Sequence, residues 1–91
     1  MWAYVWKGDY SCAYQMSWYE GTKWKVDIPI NTYDWVIFCR VDPTYTTFDY
    51  QNWSGVYNQT TNLKFDSSKD TAQIDNWDHG DQGHSQVHWV S

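Results

Sequence analysis

The chain has 91 residues and a net charge of −5, and aromatic residues make up 21% of it, eight of them Trp and eight Tyr, whereas Leu occurs once. That length suits one domain with a thin core and is too short for two. The six Lys and Arg form no cationic patch, and no apolar run approaches the ~20 residues of a membrane span, so neither nucleic acid nor membrane is expected as a partner.

No segment carries a sustained helical period. The signals are short runs of β-branched and aromatic residues punctuated by Gly, Pro, Asn and Asp, which predict strands and turns. Residues 2–6 (WAYVW) alternate, with Trp2, Tyr4 and Trp6 on one face and Ala3 and Val5 on the other. Lys7 and Asp9 interrupt this stretch, so it does not read as a signal peptide. Residues 14–19 form a weaker strand, followed by a turn at Glu20-Gly21. Residues 23–28 alternate again, with Trp24, Val26 and Ile28 predicted on one face, and Pro29 ends the run because proline cannot donate to a ladder. Residues 35–40 (WVIFCR) are the most apolar run and predict a central strand buried on both faces.

A long polar loop is predicted over 41–60, and loops of that length in compact domains are usually functional. Strand character resumes over 61–65, 71–77 and 86–90, with a turn at 78–83 (DHGDQG). The whole predicts an all-β fold, a small single-domain antiparallel β-sandwich. Cys12 and Cys39 permit one disulfide, although Cys39 inside WVIFCR suits a buried free thiol at least as well. Asn52-Trp53-Ser54 and Asn58-Gln59-Thr60 both fit the N-glycosylation pattern.

Within the predicted loop, residues 51–60 (QNWSGVYNQT) hold Trp53 and Tyr57 among amides, hydroxyls and a glycine. A sugar ring has a C–H face and a hydroxyl periphery. Indole and phenol rings stack on the former with large rigid area at small entropy cost, while amides bond the latter. This composition, and that of WAYVW, predicts carbohydrate binding. Packing of the sandwich is the competing use for the same rings.

The segment VDIPINTYDWVIFCRVDPTYTTFDYQNWSGVYNQTTNL, with WAYVWKGDY upstream, resembles bacterial starch-binding modules of carbohydrate-binding module family 26 and its relative family 25. The likeness spans residues 2–63, and the block from IFCR to NQT is its most specific part. It implies an immunoglobulin-like β-sandwich that binds α-1,4-glucan, as polysaccharide or oligosaccharide, on a curved aromatic platform without chemistry. It also implies an extracellular or cell-surface location. Carried over by position, the ligand-binding residues are Tyr4, Trp6, Trp53, Asn58 and Gln59, with Trp2, Tyr10, Tyr14 and Tyr57 as further candidates.

The chain departs from the family in two respects. Tyr57 stands where Trp is common, and the strand that usually precedes the WAYVW segment is missing. A missing strand leaves a sheet edge open, which invites pairing with another chain, so self-assembly or docking is the alternative function. A lectin-like reader of another glycan is the third.

Catalysis has little support. Glycoside hydrolysis needs two facing carboxylates, one with a raised pKa, and shallow loops give no cleft to desolvate one. No nucleophile motif or phosphate-binding glycine loop is present, and no cofactor is expected. Among Asp75, Asp78, Asp81, His79, His84 and His88, Asp78 and Asp81 are the weak metal candidates, and a solvated acidic turn accounts for them more simply.

Overall fold

The most apolar run of the sequence becomes the middle of the main sheet. The structure is a computed structural model that describes residues 1–21, 23–29, 31–46, 55–66, 68–74 and 85–90. Its strands are β1 (Trp2–Lys7), β2 (Tyr10–Gln15), β3 (Ser17–Glu20), β4 (Lys23–Lys25), β5 (Trp35–Val41), β6 (Val56–Gln59), β7 (Leu63–Lys64), β8 (Ala72–Ile74) and β9 (Val87–Trp89), with no helix among the described residues. The main sheet runs β2-β1-β5-β6, and β7 pairs with the N-terminal end of β5. All strand pairs are antiparallel.

β1 and β2 form a hairpin closed by Lys7 and Tyr10 around Gly8-Asp9. Gly8 has φ +58° and Asp9 does not share a positive φ. Glycine at the first central position is the type II′ requirement, and that turn's twist matches the strands it joins.

Alternation along β1 and β5 sorts side chains onto two faces, as expected for residues 2–6; of the run 35–40, expected to be buried on both faces, Val36, Ile37 and Cys39 are buried while Trp35 and Arg40 are exposed. One face carries the cluster Trp2, Ile37, Cys39 and Val41, with Tyr4, Trp6, Ala13, Tyr45 and Val56 packed against it. The other carries Ala3, Val5, Tyr33 and Val36, covered by Met16, Val26, Ile28, Phe65 and others. The second layer of this small antiparallel β-sandwich lies on the latter face. It comprises the segment after β4 and Phe65. Trp89 of the β8–β9 hairpin leans on the Phe65 ring at 6.2 Å, and its indole N–H donates to the Lys64 carbonyl at 2.8 Å.

Cys12 lies on the Val5 face and Cys39 on the Trp2 face, in strands separated by β1, so the two thiols stay free. Burial pushes the Cys39 thiol up to about 12.

Three expectations are corrected. The run 23–28 is a strand only over Lys23–Lys25. Val26 and Ile28 reach the core from irregular backbone, while Trp24 stays 41% exposed. The weak strand at 14–19 divides at Met16 into the end of β2 and β3. The loop expected over 41–60 is narrower at both ends, because Val41 belongs to β5 and 56–59 form β6. The predicted turn at 78–83 and Trp77 lie outside the described residues.

Between β6 and β7 the strand breaks at a buried polar knot. Thr60 has no exposed surface; its N–H donates to the Phe38 carbonyl, and its Oγ accepts from the Phe38 N–H at 3.0 Å while donating to the Thr61 carbonyl. The hydroxyl thus stands in for the missing ladder partner of Phe38. On the outer side Ser85 donates its N–H to the Gln59 carbonyl and accepts from the Thr61 N–H, an isolated parallel bridge that closes this edge. Thr60→Val should orphan the buried Phe38 N–H and cost about 1–3 kcal/mol of stability, measured by urea unfolding, while Thr60→Ser should stay close to the parent.

Candidate functional site

The face bearing Trp2, Tyr4 and Trp6 grades from closed to open along β1. At one end Trp2 is 8% exposed and pairs across the strand with Cys39. Tyr45 and Val56 pack against this end. Tyr4 and Trp6 are half-buried, their ring centroids 6.0 Å apart and their planes tilted by 44°. At the far end Trp35 stands directly opposite Trp6 and is 36% exposed. Ser11 and Ala13 flank Trp6 and Tyr4 on the β2 side, small enough to leave the ring edges uncovered, and Lys64 pairs with Trp35 on the β7 side. The open end therefore presents tilted aromatic rings bordered by a hydroxyl and an ammonium group.

Trp2, Tyr4 and Trp6 share this face, which sequence alternation predicted. Trp35 was missed as a site residue because it heads a strand read as core. Only its cross-strand pairing with Trp6 reveals it.

The other expected site residues are dispersed. Tyr10 and Tyr14 lie on the opposite face and engage Tyr33. The Tyr10 ring stacks on Tyr33 at 5.9 Å and 17°, and the Tyr14 and Tyr33 hydroxyls are 3.1 Å apart. Hydrogen bonding to Tyr14, then burial, raises the Tyr33 phenol above its ordinary range. Asn58 is also turned to that opposite face, where it is buried and its Oδ1 accepts from Arg40 Nη1 at 3.2 Å. Its amide serves the fold. Gln59 lies on the Trp2 face at the closed end, opposite Cys39 and half-buried. Trp53, Asn52, Asp78 and Asp81 lie outside the described residues, as do Asp75, His79 and His84. No group of three or more His, Cys, Asp or Glu is placed to hold a metal ion among the described residues.

Tyr57 is highly exposed, at a bulge where the β5–β6 register shifts. It joins an anchor at the closed end of the platform. In the turn Asp42-Pro43-Thr44-Tyr45, the Tyr45 N–H donates to the Asp42 carbonyl, with proline at the position it favours. The Thr44 N–H and hydroxyl both donate to Asp42 Oδ1, at 2.9 and 2.8 Å. The Asp42 N–H reaches the Gly55 carbonyl at 2.8 Å. Tyr45 lies so close over Gly55 that an added methyl would stand 2.5 Å from its ring, so any larger residue there must displace the Tyr45 ring.

A second aromatic group, also unforeseen, lies on the β3–β4 hairpin. Trp18 and Trp24 pair directly across the strands and are 60% and 41% exposed. The Trp18 indole N–H donates to the Gly21 carbonyl at 2.9 Å, and Lys25 Nζ sits 5.3 Å above the Tyr19 ring.

Compared with known proteins, the chain matches no protein-family model, no curated protein and no solved structure.

The Asp42 anchor carries a pH dependence. Donation from the Thr44 N–H and hydroxyl, with a smaller share from Tyr57, holds the Asp42 carboxyl below the usual carboxylate range. A group whose folded pKa is depressed stabilises the fold above its unfolded pKa and loses that contribution as pH falls through the folded one. Stability should therefore decline on acidification below about 3.9, the unfolded aspartate value. Asp66 acts in the same direction, held down by the Ser68 hydroxyl and N–H. Denaturant unfolding across this window should show a shallower acid dependence for Asp42→Asn than for the parent.

Proposed function

We propose that this protein is a non-catalytic carbohydrate-binding module whose open aromatic face receives an α-1,4-glucan. The observation that supports this best is the grouping of Tyr4, Trp6 and Trp35 at the open end of one sheet face, flanked by Ser11, Ala13 and Lys64. Stacking supplies the attraction: the rings cover the C–H faces of successive glucose units, and the bordering polar groups bond their hydroxyls. The 44° tilt between Tyr4 and Trp6 makes the platform curved rather than flat. A curved platform suits the helical path of an α-1,4-linked chain better than the flat ribbon of a β-1,4-linked one. The sequence resemblance of residues 2–63 to starch-binding modules, although no family model matches the chain, points to the same ligand. Binding of extracellular or cell-surface starch fits a module without chemistry of its own.

A tryptophan-fluorescence titration with maltoheptaose, with cellohexaose as control, tests the proposal. Maltoheptaose should give a saturable change and remain uncleaved, and cellohexaose should give none. Trp6→Ala and Trp35→Ala should each weaken binding by about 1–3 kcal/mol, by analogy with base–aromatic stacking, whereas Trp18→Ala on the separate hairpin should leave affinity unchanged. Saturation by another glycan but not by maltoheptaose would favour the lectin-like alternative. No response to any sugar would sink the carbohydrate reading.

A further inference from the structure

The two edges of the main sheet are built differently. The β6–β7 edge has a register shift at Arg40/Val41, the Thr60 interruption, the Ser85 bridge and Lys64, all devices that deter pairing with another strand. The β2 edge has none of them. Its six residues, YSCAYQ, contain no charge and no proline, and they pair with β1 in unbroken register. The Met16 N–H donates to the Met1 carbonyl, which makes Ala3–Tyr14, Val5–Cys12 and Lys7–Tyr10 the hydrogen-bonded pairs. The N–H and C=O groups of Ser11, Ala13 and Gln15 therefore point away from β1. Among the described residues no strand pairs with them, and the one contact there is a long 3.9 Å approach of the Cys12 thiol to the Ala13 carbonyl.

We infer that β2 pairs with β2 of a second copy of this chain, antiparallel about a two-fold axis at Ala13. Two features select this occupant. The register is self-complementary: Ala13 meets Ala13 and Ser11 meets Gln15 of the second copy, so every outward N–H finds an outward C=O. The side chains flanking the axis are uncharged, so the symmetric pairing sets no like charges opposite each other.

A groove of about 220 Å³ lies where β2 gives way to β3, lined by Gln15, Ser17, Lys25, Val26 and Asp27, so the strand end presents both signs of charge and no single-sign barrier to a second copy. A two-fold axis normal to the sheet also keeps Trp2, Tyr4 and Trp6 of both copies on one side of a continuous sheet. The dimer is thus bivalent for a long ligand, a consequence that rests on the glucan reading, whereas the pairing itself does not.

Sedimentation or light scattering over a concentration series, without sugar, should show the mass of one chain rising to that of two. Ala13→Pro removes an outward N–H and leaves the β1 ladder intact, and Ser11→Lys with Gln15→Lys sets like charges opposite each other. Both should abolish the dimer while near-UV circular dichroism confirms folding. Covalent trapping gives a readout independent of those variants. Paired residues of this type have Cα atoms about 5.5 Å apart, within disulfide range. Ala13→Cys combined with Cys12→Ser should therefore oxidise to a disulfide dimer, and Tyr57→Cys with Cys12→Ser should not. A parent chain that stays at one mass at every concentration, a dimer indifferent to both edge variants, or the absence of trapping at position 13 would overturn the inference. None of these outcomes bears on maltoheptaose binding by the single chain.

Discussion

The register between β1 and β5 is the constraint on which the rest of this molecule depends. Side chains on a strand alternate with a period of two, and this sheet is packed on both faces. Trp2 must therefore meet Cys39 while Ala3 meets Phe38, and Tyr4 meets Ile37 while Val5 meets Val36. A slip of one residue would drive three large rings into the layer formed by Tyr33, Val26, Ile28 and Phe65, and would expose Ala3 and Val5. The small residues at 3 and 5 and the large ones at 2, 4 and 6 make that alternative costly. The same alternation delivers the candidate site, since the rings kept off the crowded face are the ones left to form a platform on the other.

Polar residues do much of the structural work here, as expected for a domain with little aliphatic core to spend. Thr60 replaces a ladder partner, Ser85 caps an edge, Asn58 holds Arg40, and Asp42 with Thr44 sets the turn that brings Tyr45 over Gly55. No buried side-chain polar atom among the described residues lacks a partner. In a thin core such satisfaction matters, because an orphaned buried group costs more than its bond is worth. These groups cluster around the C-terminal half of β5, at the closed end of the aromatic face. They hold that end fixed and leave Trp6 and Trp35, at the other end of the face, accessible.

The exposed aromatics fall into separate places rather than one belt. Trp35, beside the half-buried Trp6, belongs to the platform, Trp18 and Trp24 to a hairpin outside the core, and Tyr10 to the Tyr33 stack at the β2 edge. Rings so distributed do not form a single surface. The β2 edge lies next to the platform strand β1 and so has a direct geometrical relation to the site. Pairing there would enlarge the aromatic face without altering it.

What the sequence by itself determined is whatever depends on alternation and turn chemistry. The all-β class, the shared face of Trp2, Tyr4 and Trp6, and the central position of WVIFCR all follow from a period of two that neighbouring residues reveal. Tertiary structure alone decided everything that depends on which strand lies beside which. Trp35 joins the platform only because β5 pairs with β1 in one register, and Trp24 stays outside the core although it alternates with Val26. Asn58 and Thr60, which look like surface polar residues in NQT, are buried because β6 breaks against β5 at that point. Tyr10 and Tyr14 lie across the sheet from Tyr4 because a two-residue hairpin pairs even positions of β2 with odd positions of β1. Pairing between distant strands leaves no local trace in composition or spacing, and that is why the ring-bearing face could be read from the chain while its membership could not.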